Sequence, residues 1–312
     1  MTDLLFSVVI PTYNRRELLA AALDSIWSQT FAGFEVIVVD DGSNDGTLEY
    51  LSSLGERLQF LTGCNRGPGA ARNLGCERAR GQYIAFLDSD DLWFPWTLET
   101  YAALVSELDS PAFIAGKPYR FESAETLRAL CREPLRSREF TDYLESGDDW
   151  RWWGASSFVI RADAFFLGGG FSMEDMNGED ADLALKLGDA GRFVQLVSPF
   201  TFGYREHSAS VMRDLQKTLA GVHHMIESEI RGIYPGGTDR AVERWQILTR
   251  HVRPVSLDCL KEGRCREAWE LYRSTLKWHF RLGRWKYVFG FPVRAGIRRG
   301  RSRGRLRQEA AR

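Results

Sequence analysis

Between residues 6 and 108, short unbroken apolar runs alternate with stretches whose apolar residues recur every three or four positions. The runs at 7–10, 36–39 and 83–87 read as strands of the buried kind found in parallel sheets, and 58–61 reads as a further short strand. Leu18, Leu19, Ala22, Leu23, Ile26 and Trp27 give one apolar helical face, with Asn14 as its cap and Pro11 as the stop of the preceding strand. Further helices are expected near 48–54 and over 70–80, the second opened by Gly67-Pro68-Gly69. Such alternation predicts an α/β fold around a doubly wound, mostly parallel sheet.

Beyond residue 109 the pattern loosens. A strand is expected over 112–116, residues 120–150 are charged and mixed, and Trp150, Trp152 and Trp153 cluster just before Gly154. Gly168-Gly169-Gly170 reads as a flexible turn. Gly178-Glu179-Asp180 opens a helix whose Leu183, Leu185 and Leu187 lean on a core, with Asp182 on the helix surface, and residues 195–197 read as an edge strand. Residues 223–233, 239–251, 255–260 and 267–280 read as helices.

Five cysteines, scattered and without C-x-x-C spacing, argue against a disulfide framework or a zinc site and fit a reducing cytoplasm. No basic segment with an apolar core precedes the first strand, and no apolar run approaches the ~18 residues of a spanning helix, so neither secretion nor bilayer crossing is expected. The net charge of −1 hides an asymmetry: residues 271–307 hold 12 Lys and Arg and no Asp or Glu, which leaves −13 on residues 1–270.

The candidate chemistry gathers where the strand at 83–87 runs into Asp88-Ser89-Asp90-Asp91. Ligands of open α/β sheets bind outside the carboxyl ends of the strands. Two carboxylates two residues apart can share a hard divalent ion through oxygen, and three acids around a serine repel one another unless a cation sits among them. The plainer expectation is that Ser89, Asp90 or Asp91 caps a helix opened by Pro95. Gly67-x-Gly69-x-x-Arg72 is neither a dinucleotide fingerprint nor a P-loop, but it leaves a helix N-terminus with bare amides beside Arg72, suited to a diphosphate or a base carbonyl. Asp40 and Asp41 close the second strand at the same rim, where an acid can accept from a ribose hydroxyl or a ring N–H. Glu179-Asp180 starts a helix, a place that favours acids whatever their function. His207 stands alone, and His223 and His224, adjacent on a helix, face different ways.

Five motifs in this order resemble family 2 glycosyltransferases of the GT-A fold: Val8-Val9-Ile10-Pro11-Thr12-Tyr13-Asn14, Val39-Asp40-Asp41-Gly42-Ser43, Asn65-Arg66-Gly67-x-Gly69-x-Ala71-Arg72-Asn73, Asp88-Ser89-Asp90 and Gly178-Glu179-Asp180-x-Asp182-Leu183. The resemblance covers about residues 5–210. It implies a UDP-sugar donor, a saccharide or lipid-linked saccharide acceptor, Mn²⁺ or Mg²⁺, and inversion at the anomeric carbon. By position, Pro11, Thr12, Tyr13 and Asn14 belong to the nucleotide pocket, Asp41 to the uracil, Arg72 to the nucleotide, and Asp88 and Ser89 to the ribose and metal region. Asp90, with Asp88, would ligate the metal, Asp180 would be the base, and Glu179 would lie close to the acceptor. A histidine after a Tyr-Arg pair often completes such a metal site, which makes His207 a third ligand, although Ser208-Ala209 stands where the family often has Pro-Gly. The implied organisation is a catalytic domain over 1–212, with a nucleotide-binding half at 1–110 and an acceptor-side half at 111–212, then a helical extension at 213–280 and a basic aromatic tail at 281–312.

Two other readings of the body are a sugar-nucleotide pyrophosphorylase and a non-catalytic nucleotide-sugar-binding protein. A pyrophosphorylase should carry a Gly-rich, basic loop after its first strand, where Pro11-Thr12-Tyr13-Asn14 stands. In the tail, Trp278, Phe280, Trp285, Tyr287, Phe289 and Phe291 interleave with Arg281, Arg284, Lys286 and Arg294, aromatics and cations suited to an anionic lipid surface. A peripheral site on the cytoplasmic face of the cell membrane follows, with no nucleic-acid partner expected. The plainer alternative is a helical cap followed by a disordered basic end.

Overall fold

Seven buried residues in a row make the first strand, β1 (Phe6–Thr12), which a computed structural model places at the centre of an eight-stranded sheet. The structure describes residues 4–147, 149, 154–206 and 214–309. Two compact units divide the chain, Met1–Ser210 and Val211–Arg312.

In the first unit, β2 (Phe34–Asp40), β3 (Gln59–Thr62) and β4 (Tyr83–Phe86) run parallel to β1 in the order β3-β2-β1-β4. The strand β1 passes through Pro11 instead of stopping at it. Val9 and Pro11 turn their backbone polar groups to the same side, since strand residues alternate. On that side β4 is leaving: its pairing ends at Val9 opposite Phe86, with Leu87 N–H donating to Val9 O at 3.2 Å. A residue without an N–H costs no ladder bond there, while Thr12 still pairs with Asp40 of β2.

The helices α1 (Arg16–Trp27), α2 (Thr47–Ser53) and α3 (Pro68–Cys76) link these strands, and α1 lays fully buried Leu19, Ala22, Leu23 and Ile26 on the core. Its cap differs from the expectation. Asn14 adopts φ 50° and reaches away, its Oδ1 accepting Asn44 N–H at 2.8 Å, while the first-turn amide of Arg16 donates to Asp45 from the loop after β2 at 3.0 Å.

The sheet continues with strands from later in the chain. After β5 (Leu92–Trp93) and α4 (Thr97–Glu107) come β6 (Phe113–Ala115), β7 (Pro118–Phe121), α5 (Ala124–Arg128), β8 (Arg136–Phe140), α6 (Tyr143–Ser146), β9 (Phe158–Arg161), α7 (Ala162–Leu167), α8 (Glu179–Lys186), β10 (Phe193–Ser198) and β11 (Phe202–Arg205). Antiparallel β9 lies between β4 and β6, β10 runs parallel to β6, and β8 closes the edge antiparallel to β10. Residues 195–197 therefore do not form an edge; Arg136 to Phe140 from the charged stretch covers them. A second sheet, β5-β11-β7, was not foreseen. It takes Leu92 and Trp93 into pairing with β11, so α4 starts only at Thr97, with no side-chain cap, and Ser89, Asp90 and Asp91 cap no helix.

The second unit holds α9 (Leu215–Ile230), α10 (Ala241–Lys261), α11 (Cys265–Arg281) and α12 (Trp285–Glu309). α10 runs on through Pro254, where a break between 251 and 255 was expected. Val252, Val255, Cys259 and Leu260, all buried, hold both halves to one core, and packing of this kind outweighs local propensity. Tyr287 and Phe291 of the aromatic tail are core: Phe291 stacks on Tyr272 at 4.4 Å and the Tyr287 hydroxyl bonds Ser256 at 2.6 Å. Among the described residues no helix is long and apolar enough to cross a membrane.

Candidate active site

In the order β3-β2-β1-β4 the chain leaves β1 toward β2 on one side and reaches β4 on the other, so the loops after β1 and β4 diverge. That divergence is the crevice in which open α/β sheets bind ligands. Arg15, from the loop after β1, spans it, donating to Asp90 Oδ2 at 2.7 Å.

Beyond β4 the chain turns tightly, Asp91 N–H closing on Asp88 O at 3.0 Å. The turn points three carboxylates together: oxygens of Asp88, Asp90 and Asp91 lie within 4.8 Å of one another. Ser156 accepts the Asp88 amide at 3.0 Å. From β11, the Arg205 amide donates to Asp91 Oδ1 at 3.1 Å and its Nε–H to the Asp90 carbonyl at 2.9 Å. Burial, followed by the charges of Asp90 and Asp88, pushes the Asp91 carboxyl well above the usual carboxylate range. Hard oxygen donors this close, one of them disfavoured as an anion by its neighbours, suit a small divalent cation such as Mn²⁺ or Mg²⁺.

Across the crevice, Arg72 on α3 is 4% exposed and forks between two acids, donating to Asp88 Oδ1 at 2.5 Å and Glu179 Oε1 at 2.9 Å. Burial alone would lower its pKa; Asp88 and Glu179 outweigh burial and hold the guanidinium charged. Its face lies 5.1 Å from the Phe171 ring, and its Nε is buried without a hydrogen-bond partner among the described residues. Gly69 lets the start of α3 come this close, because a Cβ there would sit 2.5 Å from the Ser172 carbonyl and 3.7 Å from Glu179 Cγ.

The two acids that open α8 differ. Glu179 is tied to Arg72 and to the Gly178 amide at 3.1 Å. Asp180 makes no ion pair among the described residues and accepts only the Ala181 amide at 2.8 Å. Its carboxyl is pushed up to about 8, by burial first and by the neighbouring Glu179 charge second, against the pull of the Ala181 amide and Arg72. A carboxyl poised near neutrality is suited to taking a proton. Asp182, expected on the helix surface, is fully buried, its charge matched by Lys186 one turn on at 2.7 Å.

At the nucleotide end of the rim, Pro11 and Thr12 are buried and Tyr13 is exposed. The Thr12 hydroxyl is buried with no partner among the described residues, an orphan that a ligand could satisfy. Asp41 accepts the amides of Arg66 at 3.0 Å and Gly67 at 2.8 Å, which fixes the start of α3. Gly63 leaves room for this carboxylate, since a Cβ there would lie 2.6 Å from Asp41 Oδ1 and push it aside. A cleft of about 150 Å³ opens beside Asp41, lined also by Gly63, Cys64, Asn73 and Met173. Asp40 instead closes its own loop, accepting from the Ser43 amide at 3.2 Å and from the Ser43 hydroxyl.

The structure thus gathers Asp88, Ser89, Asp90, Arg72, Glu179 and Asp180 at one rim, with Thr12, Tyr13 and Asp41 along it. Asn14 faces the loop after β2. His207, and with it Ser208 and Ala209, lies outside the described residues, as do Trp150, Trp152 and Trp153. Sequence reasoning missed Arg15, Ser156 and Arg205, and it set Asp91 among the three acids without naming it as a metal ligand. Asp91 had a visible signal, a third acid beside Asp90; the others arrive from distant elements.

Residues 7–164 match the family model described as Glycosyl transferase family 2. An uncharacterized glycosyltransferase of Rickettsia bellii is 41% identical over 109 residues, covering 34% of this chain and 16% of its own length. YibD, an uncharacterized glycosyltransferase of Escherichia coli K12, is 34% identical over 155 residues, covering 48% of this chain and 44% of its own. WfgD of Escherichia coli, named UDP-Glc:alpha-D-GlcNAc-diphosphoundecaprenol beta-1,3-glucosyltransferase, is 37% identical over 107 residues, covering 34% and 42%. The chain spans less than half the length of each of these curated relatives. Among solved structures, S. aureus TarS 1-349 aligns with a TM-score of 0.65 at 20% identity, over 91% of this chain and 81% of that one. The same TarS segment in complex with UDP-GlcNAc gives 0.59 at 19% identity, over 89% and 92%. These likenesses establish the fold as GT-A.

Proposed function

The chain belongs to glycosyl transferase family 2, and on that footing we propose that it moves a sugar from a UDP-linked donor to an acceptor hydroxyl with inversion at the anomeric carbon. One observation carries the reading: Asp180, with its raised carboxyl and no ion pair among the described residues, opens a helix whose Glu179 is tied through Arg72 to Asp88 of the acid cluster. Base and leaving-group machinery thereby share one rigid framework.

Bound at Asp88, Asp90 and Asp91, Mn²⁺ or Mg²⁺ would supply positive charge for the departing diphosphate. Arg72 and the amides opening α3 favour the nucleotide's negative charge from the other side. Thr12, Tyr13 and the cleft at Asp41 would receive the base. Asp180 takes the proton of the acceptor hydroxyl as that oxygen attacks the anomeric carbon. The bond from that carbon to the β-phosphate oxygen breaks, and UDP leaves from the opposite face. Glu179, held by Arg72, is placed to orient the acceptor.

The name of the relative WfgD includes a lipid diphosphate acceptor. Together with the basic C-terminal unit, this supports a lipid-linked saccharide acceptor, work at the inner membrane face and a role in surface polysaccharide or glycolipid assembly. The test is UDP release from a panel of UDP-sugars in Mn²⁺, with and without acceptor, followed by nuclear magnetic resonance of the product. One donor should give acceptor-dependent UDP and a product of inverted anomeric configuration. Formation of UTP from a UDP-sugar and pyrophosphate would identify a pyrophosphorylase, and donor binding without turnover would identify a binding protein.

A further inference from the structure

The helix α12 is apolar on two opposite sides. Tyr287, Val288, Phe291 and Ala295 are buried within the second unit. Trp285, Phe289, Val293 and Ile297 recur every four residues on the other side and are exposed to 47, 67, 61 and 57%. At the end of α11, exposed Phe280 extends this stripe, its ring edge-on to Trp285 at 4.8 Å. A helix apolar on both faces needs something to cover the second one.

The charges around the stripe choose the occupant. Lys286 and Arg294 flank it on α12, and Arg273, Lys277 and Arg281 form an exposed row on the outward face of α11 beside Phe280. No acid occurs from 271 to 307. Beyond Arg294, a groove of about 320 Å³ between α10 and α12 adds Arg253 and Lys261, with Asp258 paired to Lys261 at 2.6 Å. A second copy packed face to face would set these cations against themselves. Nucleic acid would match the charge but not Val293 and Ile297, which offer no flat surface for a base. An anionic bilayer answers both features, taking aromatic and aliphatic side chains at its interface and cations at its headgroups.

We propose that this outward face of α12, with Phe280 and the α11 cations beside it, seats the protein on anionic lipid. The inference rests on the proposed membrane-borne acceptor and names the surface that meets the membrane. The face is formed by the stripe, while Tyr287 and Phe291 stay inside.

Sedimentation of the full chain with vesicles of phosphatidylcholine, or of phosphatidylcholine and phosphatidylglycerol in equal parts, tests it. Binding should require phosphatidylglycerol and weaken with salt. The double variant Phe289→Ser/Val293→Ser should bind at least about tenfold more weakly, since two apolar side chains no longer leave water. Its circular dichroism and its UDP release in detergent should match wild type, because neither residue packs in the core. Equal vesicle binding by variant and wild type would overturn the proposal. So would a dimer, seen by sedimentation velocity, that the substitutions dissolve while the wild type ignores vesicles. Transfer in detergent is independent of the vesicle readout: if every lipid-linked acceptor fails there while vesicle binding holds, the acceptor assignment falls and the lipid face stands.

Discussion

Arg72→Met removes the cation that joins the two halves of the crevice while keeping a stem that can still pack on Phe171. Two charge-assisted hydrogen bonds disappear, to Asp88 at 2.5 Å and to Glu179 at 2.9 Å, and each bond to a charged group contributes about 1.5–3 kcal/mol. Removing one member of a fully buried pair costs about 3–5 kcal/mol, because the partner is left charged without compensation. Here the Glu179 side chain is 14% exposed and Asp88 32%, so water recovers part of the loss, most of it at Asp88. A net destabilisation of about 3 kcal/mol follows from these ranges. For a unit of this size, 1 kcal/mol moves the melting midpoint by about 2–4 °C, so the midpoint should fall by about 6–12 °C in the presence of EDTA. Differential scanning calorimetry reads it directly. Saturating Mn²⁺ should raise the variant's midpoint more than the wild type's, since the ion gives Asp88 a new partner. A midpoint within about 2 °C of wild type, under 1 kcal/mol on the same scale, would refute the idea that Arg72 holds the crevice together.

Asp180 links function to stability with the opposite sign. Its carboxyl titrates near 3.8 when unfolded and is pushed up to about 8 in the fold, so folding binds a proton between those values and stability falls as pH rises across that window. In EDTA, Asp180→Asn should match wild type below pH 4 and exceed it at pH 8 by an amount on the order of 5 kcal/mol, since the roughly four pH units between the two values cost about 1.4 kcal/mol each; a variant less stable than wild type at pH 8 would contradict the assignment. Asp90→Ala should fold normally yet bind Mn²⁺ at least about tenfold more weakly by titration calorimetry and lose transfer, as expected of a lost oxygen ligand. Unchanged Mn²⁺ affinity would remove Asp90 from the metal site.

In the parallel half of the sheet, β1, β2 and β4 were legible because their buried stretches are written as continuous apolar runs, whereas β3, at the edge, carries Gln59 and Thr62 and is half-exposed. The place of Asp88 and Asp90 was legible too, since a strand that ends in acids points them at the crevice. Signals that depend on partners were not legible. Pro11 looks like a strand stop until β4 is seen to leave on its N–H side. Leu92-Trp93 is too short to be read as a strand without β11, and β8 is too charged to be read as one without β10. Arg15, Ser156 and Arg205 reach the acids from 75, 68 and 115 residues away, which no local spacing encodes. Asp182 was readable in hindsight, as the first member of an i, i+4 pair with Lys186. The aromatic tail misled for a different reason: the same Tyr and Phe residues serve a core or a lipid face, and only the packing of α12 on α10 and α11 separates Tyr287 and Phe291 from Trp285 and Phe289.

The central claim is that Asp180 removes the acceptor's proton while the acids and Arg72 hold the donor. Asp180→Asn keeps the shape and cannot take that proton. The most direct measurement is its turnover for acceptor-dependent UDP release beside its donor affinity by titration calorimetry. The kcat should fall by roughly a hundredfold or more with an unchanged donor Kd. Turnover at the wild-type rate, or a loss confined to donor affinity, would contradict it.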